Sequence, residues 1–290
     1  MDAFSAGQLS RALDKLHSTI YFAPESNEKF GELGLENQRM QYFASRSAPM
    51  GMVGAKVVAA TFYNFNPDLV AKSIPAAWEI ASPTDVTRVR YEIVDAVVRR
   101  ILGDERIRSP EFAHSVALVR RTAEAIPNAD GRPLYAGHAE LDWPDTSHGQ
   151  LWHAITLLRE YRGDGHIAAL VGHGLSGAEA LITHVATGTG FAPEFGRKLR
   201  GWSQEQWDET VSALRARDLL DDAGALTSAG NELRTKVEDL TDELAYAPWR
   251  TAPDDDVQEL VTLGEAIRDA VRDAGAIPMN AFGPRYGQHR

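Results

Sequence analysis

The sequence predicts a mainly α-helical fold made of two winged-helix-like halves, with a small β-wing in the C-terminal half. Three observations lead to this prediction. Apolar residues recur at helical spacing, two serine-led capping boxes follow each other in the second half, and a short Asp- and Gly-containing turn precedes a further long helix. At 290 residues the chain exceeds the usual size of one domain, so two domains or one duplicated domain is expected.

The clearest helical pattern covers residues 150–161. Its apolar positions fall largely on one helical face, namely Leu151, Trp152, Ile155, Leu157 and Leu158. The glycines of residues 162–165 predict an interruption after this helix. A short second helix over residues 166–173 is then expected, with Gly174 at its C-terminal stop.

Two further helix starts follow. Ser176 and Glu179 have the spacing of a capping box, and residues 203–206 offer the same box for a helix that runs to about Arg217. Two short apolar stretches around residues 221–224 predict a hairpin, the β-wing. The helix after it has apolar residues at spacings of four, three and four, so the order of elements is that of a winged helix.

Two resemblances support this order. Residues 214–220 and 226–230 resemble the end of the recognition helix and the segment after the wing in the MarR-type winged-helix family, over residues 151–244. Residues 158–166 and 60–65 are similar to signatures of an uncharacterised actinobacterial helix-turn-helix-domain family. These resemblances imply a scaffold, and no activity follows from them.

The first half is interpreted as a diverged copy of the second, which would make the chain a tandem pseudo-repeat. Gly34 aligns with Gly174, and Asn66, a predicted helix cap before a proline, aligns with Ser203. Residues rich in Pro, Gly and Asp separate the halves. The predicted units are an N-terminal helical, winged-helix-like domain (1–125), a connection (126–147), a C-terminal winged-helix-like domain (148–250), and a final helix and tail (251–290).

The composition and net charge limit the classes of partner that the protein is expected to bind. The formal net charge is −11, which repels nucleic acid and anionic lipid, and there is no cysteine for a disulfide, thiolate metal site or thiol nucleophile. The first residues lack the layout of a secretory signal, and no apolar run is long enough to span a membrane. A cytoplasmic protein with no membrane partner is therefore predicted.

DNA is the weaker partner on these grounds, although it is not excluded. The predicted recognition helix, residues 203–218, carries four acids against two arginines, and the wing tip is acidic. The nearby basic residues Arg197, Lys198 and Arg200 fit a solvated loop as well as they fit a DNA contact.

The candidate site centres on residues 162–166. There Arg162 is suited to hold a carboxylate or phosphate, and Asp164 to orient His166 as a general base or a ligand contact. The alternative is structural: Asp164 caps the helix that begins near His166, and Arg162 pairs with an acid.

A second group of polar and aromatic residues lies in the first half. If the halves face each other as an internal pseudo-dimer, the cavity between them collects this group with residues 162–166. Its members are His17, Tyr21, Tyr42, Arg46, Tyr63 and Asn64.

Four histidines lie close together in the sequence, which raises the question of haem or a metal. Their spacing matches no standard metal motif, so no metal is predicted and the cofactor is left unknown. The residues concerned are His153, His166, His173 and His184.

These observations favour a small-molecule-binding protein on a winged-helix scaffold that is not a strong DNA binder. The first alternative is an enzyme that uses Asp164 and His166 as an acid–base pair in an inter-domain pocket. The second is a MarR-like transcriptional regulator. The ligand and the oligomeric state are not determined by the sequence.

Overall fold

The computed structural model describes residues 1–288, which form sixteen α-helices and no β-sheet. The predicted all-α class is confirmed. The first six helices are α1 (Ala3–Ser18), α2 (Pro24–Glu32), α3 (Gln38–Ser47), α4 (Ala55–Phe62), α5 (Pro67–Ala71) and α6 (Ala76–Ile80). The next four are α7 (Pro83–Leu102), α8 (Asp104–Ile107), α9 (Pro110–Glu124) and α10 (Pro133–Ala139). The remainder are α11 (Ser147–Gly172), α12 (Gly177–Ala186), α13 (Pro193–Arg200), α14 (Gln204–Ala216), α15 (Ser228–Ala245) and α16 (Asp254–Asp273).

The long helix α11 lies at the centre of the fold. It packs against α1, α7, α9, α10 and α15, and it buries residues on all sides. The predicted break at residues 162–165 is wrong, because α11 continues through both glycines. A Cβ on Gly165 would lie 2.8 Å from Arg132 Nη1 and 3.2 Å from Leu244 Cβ, so this glycine serves close packing. The predicted stop is confirmed, since Gly174 follows the helix with φ +67°.

Three apolar clusters hold the helices together. The largest joins the helices before residue 125, the first half of α11 and the C-terminal helix α16. One smaller cluster lies between the second half of α11 and helices α12 and α15, and another lies between α12, α14 and the start of α15. Helix α16 packs on α1, so the two ends of the described chain share one core. The domain boundaries given above stay predictions.

The C-terminal half differs from the predicted order, because α11 replaces two predicted helices and α13 was not predicted. The predicted β-wing is also wrong. Leu220 and Leu226 form one isolated antiparallel bridge around the turn, and no strand pair extends from it. Asp221 explains the short turn: its side chain accepts the backbone N–H groups of Ala223 and Ala225. Two backbone bonds also join the two sides of the turn, from the Asp221 N–H to the Ala225 carbonyl and from the Thr227 N–H to the Leu219 carbonyl.

Helix starts were the most reliable sequence signals. Both predicted capping boxes are present, at Ser176 with Glu179 and at Ser203 with Gln206. Asn66 caps α5 as expected, and its side chain accepts the N–H of Asp68.

A loop of the N-terminal half is bonded to residues 175–202. The Tyr63 hydroxyl donates to the Leu175 carbonyl, and Trp202 donates to the Asn64 carbonyl at 3.0 Å. The backbone N–H of Asn66 donates to the Arg200 carbonyl at 2.9 Å. Loop 63–66 therefore fixes how α12 and α13 sit on the rest of the molecule.

This contact leaves no room for a side chain at Gly177, where a Cβ would lie 2.0 Å from the Tyr63 carbonyl oxygen. We expect Gly177→Ala to lower the free energy of unfolding by about 1–3 kcal/mol through overpacking. Gly31→Ala on α2 is the matched control, because nothing lies within 4 Å of its Cβ position. The control should be neutral or stabilising by up to ~1 kcal/mol. Urea unfolding measures both, and equal effects would contradict the close contact.

Candidate functional site

A cavity of about 370 Å³ opens between the N-terminal half and helices α11 to α15. We call it the central cavity. Its wall comes from α1, α3, α4, α11, α13 and α15, and it is rich in arginine and in acids. The charged residues of its lining are Arg11, Arg46, Arg159, Arg162 and Arg200 and the acids Asp14, Glu160, Asp164 and Glu238.

Glu160 on α11 is the most buried carboxylate of the cavity wall, with a side-chain exposure of 1%. Arg46 Nη2 donates to both of its oxygens at 3.1 and 2.9 Å, and Arg159 donates at 2.6 Å. Burial alone would raise the pKa of Glu160, but the two guanidinium groups lower it to about 2. Arg159 also pairs with Asp14 at 2.7 Å, which links α1 to this cluster.

A second ion-pair cluster joins α1, α11 and α15. Arg162 donates to the buried Asp242 at 2.6 Å, and Arg11 donates to the same oxygen at 3.3 Å. Glu238 lies 3.7 Å from Arg162 and 2.7 Å from Arg234. The structural alternative for Arg162, pairing with a distant acid, is therefore what the geometry shows.

Arg200 differs from the other arginines of the cavity. Its guanidinium lies 4.0 Å from the centre of the Phe65 ring, and within residues 1–288 no carboxylate comes within ion-pair distance. Its Nε is buried without a hydrogen-bond partner among those residues, and so are Nε of Arg11, Arg46 and Arg162. Buried donors of this kind call for an acceptor, because each unpaired donor costs free energy.

Tyr42 lies beside Arg200 and accepts a hydrogen bond from Arg46 Nη1 at 3.0 Å. Burial opposes ionisation of this hydroxyl, but the positive charges of Arg46 and Arg200 outweigh it and lower the pKa of Tyr42. The field at this end of the cavity is therefore positive enough to favour a negative charge.

The two histidines of the cavity are neutral at physiological pH. Burial lowers the pKa of His166 to about 3 and that of His184 to about 4. His166 Nδ1 is 2.8 Å from the Thr241 hydroxyl. A neutral imidazole can donate or accept one hydrogen bond, so these rings add polarity without charge.

Asp164 has a different partner from the one the sequence suggested. Its Oδ2 accepts the backbone N–H groups of Leu134 and Tyr135 at 3.0 and 2.9 Å, at the start of α10. It therefore caps α10 from outside rather than a helix beginning at His166, and it forms no hydrogen bond with His166. Burial raises the pKa of Asp164 to about 7 despite these two bonds.

The structure brings six of the nine predicted site residues to the central cavity. They are Tyr42, Arg46, Asn64, Arg162, Asp164 and His166. The other three lie elsewhere. His17 is stacked on Trp152 in the core and bonded to Tyr21, while Tyr63 caps α4 and bonds the Leu175 carbonyl.

Three important residues were not among the predicted site residues: Glu160, Arg200 and Glu238. Arg200 was interpreted as part of a basic loop, yet Pro193 occupies the first position of α13 and is a helix-start signal. Glu160 and Asp164 are four residues apart, which places them on one face of α11 once the glycines are not interpreted as a break.

The exposed surface of α14 is acidic, whereas a helix that contacts a DNA duplex is expected to be basic or neutral. Arg215 donates to the carbonyls of Asp221 and Asp222, and Arg217 donates to Glu179 at 2.6 Å. In the adjacent helix Arg197 donates to the Trp202 carbonyl and Lys198 pairs with Glu194. Three acids of α14, Glu205, Asp208 and Glu209, remain exposed.

Metal ligands and membrane-spanning helices were two further questions for residues 1–288. No group of three His, Asp or Glu side chains there is arranged to hold a metal ion. His153 and His173 have hydrogen-bond partners of their own, Tyr91 and the Ala169 carbonyl. None of the helices in that range combines the length and apolar character that crossing a bilayer requires.

Fold and site together define an all-α protein with an arginine-rich cavity. A model of a helix-turn-helix family matches residues 6–278, and the chain belongs to that family. No curated protein and no solved structure matches the chain.

The buried ion pairs give a direct prediction. We expect Glu160→Gln to lower the free energy of unfolding by about 3 kcal/mol, because it leaves Arg46 and Arg159 buried without their carboxylate. Glu232→Gln, which breaks an exposed pair with Lys236, is the matched control and should have no measurable effect. Urea unfolding at neutral pH compares them, and similar small losses would contradict the proposed importance of the buried pair.

The raised pKa of Asp164 predicts that the free energy of unfolding depends on pH. Its pKa is raised in the folded state, so its stabilising contribution is fully present below the pKa of the unfolded chain and is lost as pH rises toward 7. The loss is roughly 1.4 kcal/mol for each unit of pH between about 4 and 7. Asp164→Asn should remove this fall, so the variant gains stability relative to the wild type on going from pH 5 to pH 8.

Urea unfolding at the two pH values measures this gain. Asp208→Asn, at an exposed position on α14, is the matched control for the loss of one negative charge. A wild type and an Asp164→Asn variant with parallel pH profiles would show that Asp164 is ionised normally.

Proposed function

We propose that this protein binds a small organic anion in the central cavity and is not a strong DNA binder. The single observation that carries the proposal is Arg200, a cavity guanidinium with no carboxylate partner among residues 1–288. Cavity carboxylates that could neutralise it are already held by other arginines. Glu160 is held by Arg46 and Arg159, and Glu238 by Arg162 and Arg234.

The charge of the wall supports the same conclusion. Five arginines of the wall face four carboxyl groups of the wall and the adjacent Asp242. The balance is still positive, because Asp164 carries only part of a negative charge near neutral pH, where its pKa is raised to about 7. A buried excess of positive charge is unfavourable unless it is paired, so the site favours an anion. A carboxylate suits it well, since guanidinium binds carboxylate in a bidentate manner.

The rest of the ligand is expected to be flat and apolar. Phe62 and Phe65 line the cavity beside Tyr42, with ring centroids 5.5 to 6.4 Å apart, and Asn64 lies at the same end. The volume lies within the range of about 300–1,000 Å³ that is common for small-molecule pockets. An aromatic carboxylate combines both features.

The acidic charges of α14 disfavour the DNA-binding role that is common for helix-turn-helix proteins. Duplex binding depends on neutralising phosphates, and the exposed charges of α14 are mainly acidic. The start of α14 is also engaged, because Asn66 donates to the Gln206 side chain at 3.0 Å. In a winged helix this is the part that meets the bases. A MarR-like regulator is thus the less favoured reading of the same scaffold.

An enzyme is the second candidate, and the raised pKa of Asp164 favours it. A carboxyl group with a pKa of about 7 in a ligand cavity is suited to move a proton near neutral pH. The proposed partner would be His166, which reaches the same cavity but bonds Thr241. Turnover of a bound ligand that Asp164→Asn abolishes while binding persists would select this candidate.

The test of binding uses benzoate as the probe. We expect benzoate to raise the melting temperature of the wild type, and Arg200→Met to weaken its binding by roughly 10- to 100-fold, the value of one charge-assisted hydrogen-bonded contact. Lys198→Gln, an exposed position on the same helix, is the matched control and should bind benzoate as the wild type does. Calorimetric titration measures the dissociation constants.

The stability of the variant separates a binding role from a structural one. Because Arg200 has no carboxylate partner, Arg200→Met should retain or raise the free energy of unfolding of the ligand-free protein. A dissociation constant for benzoate that is unchanged in Arg200→Met would contradict the proposal. So would tight, salt-sensitive duplex binding by the wild type at moderate salt.

A further inference from the structure

A second cavity of about 430 Å³ adjoins the central cavity, and we call it the side chamber. The two share part of their walls, formed by Arg11, Asp14, His184 and Glu238. On the far side the chamber is bounded by α15 and by tail residues 285–288.

The side chamber is also positively charged. Lys15, Arg11, Arg234 and Arg285 line it, against two carboxylates, Asp14 and Glu238. The two carboxylates already pair with arginines. Within residues 1–288, no ion pair joins Lys15 or Arg285 to a carboxylate. Their hydrogen bonds go to neutral oxygens: the Tyr286 hydroxyl at 2.8 Å and the Thr187 carbonyl at 3.4 Å.

Neutral donors complete the chamber. Thr189 and Thr235 add hydroxyl groups to its wall. The Thr187 hydroxyl and the Asn231 amide lie there too, but they already donate to main-chain carbonyls. Oxygen atoms of an acid group accept hydrogen bonds from cations and hydroxyls alike. This donor set fits a carboxylate or a phosphate.

The chain places Arg285 at this chamber through backbone bonds. The N–H of Arg285 donates to the Gly188 carbonyl at 3.0 Å, and the N–H of Gly283 donates to the Gly190 carbonyl at 2.8 Å. Phe282 stacks on Phe191 with ring centroids 4.9 Å apart. A Cβ on Gly190 would lie 2.4 Å from the His184 ring, so this glycine lets the tail and the shared wall approach closely.

We propose that the side chamber is the second acid subsite for the ligand of the central cavity, so that the ligand is an elongated organic molecule with an acid group at each end. This inference rests on the proposed function. One acid group binds Arg200 in the central cavity, and the other binds Lys15 and Arg285 in the side chamber. The shared wall makes one ligand the simpler occupant, because a molecule that passes Arg11 and His184 reaches both sites.

The test uses two series of probes: the unbranched α,ω-dicarboxylates from succinate to sebacate, and monocarboxylates of the same chain lengths. We expect one dicarboxylate length to bind the wild type at least about tenfold more tightly than its monocarboxylate, because it gains a second charge-assisted contact. Calorimetric titration measures each dissociation constant, and ω-phosphonocarboxylates of the best length show whether the far group is a carboxylate or a phosphate.

Substitutions show which cavity binds which acid group of the dicarboxylate. Arg285→Gln, at an exposed position, should remove the advantage of the dicarboxylate and leave monocarboxylate binding unchanged. Arg108→Gln, an exposed arginine that lines neither cavity, is the matched control and should retain the advantage. Arg200→Met should weaken both series.

The two proposals fail differently. If no length binds more tightly than its monocarboxylate, or if Arg285→Gln retains the advantage, the second subsite is overturned while anion binding at Arg200 stands. If Arg200→Met affects neither series, the proposed function itself is overturned.

Discussion

The buried ion pairs between α11 and its neighbours are the constraint on which the rest of the structure depends. Glu160 holds Arg46 of α3 and its own neighbour Arg159, and Asp242 of α15 holds Arg162 and Arg11 of α1. Apolar packing alone would close the space between these helices. Charged groups that must reach each other across it keep a polar cavity open, because none of them can be buried without its partner.

Helices α12 and α13 form one wall of the central cavity, because His184 and Arg200 lie in its lining. The predicted recognition helix corresponds to α14, which would have to face a duplex, yet its start is bonded by Asn66. The preceding helix α13 turns Arg200 inward over Phe65, and loop 63–66 bonds the carbonyl of the same residue. The exposed acids on α14 and the engaged arginines around it are consistent with the proposal that these helices serve a ligand other than DNA.

Much of the fold and part of the site could be predicted from the sequence. Capping boxes and helix-start prolines depend on neighbouring residues, so they located helix starts correctly. The glycines in α11 led to a wrongly predicted helix break, because the need for a glycine there comes from tertiary packing. At Gly165 a side chain would collide with Arg132 and Leu244. Tyr63 and His17 were expected in the cavity but do not line it. Only tertiary packing decides whether a polar side chain is buried in the core or lines a cavity. Arg200 was missed because an unpaired charge is visible only after every pair is known.

The most direct test of the central claim is a crystal structure of the protein with 4-iodobenzoate, at a concentration that raises its melting temperature. Anomalous diffraction from iodine locates the probe independently of any model of the side chains. The account predicts the iodine peak inside the central cavity among Phe62, Phe65 and Tyr42, with the carboxylate against Arg200. An iodine peak outside the cavity, with the carboxylate bound by other groups, would contradict it.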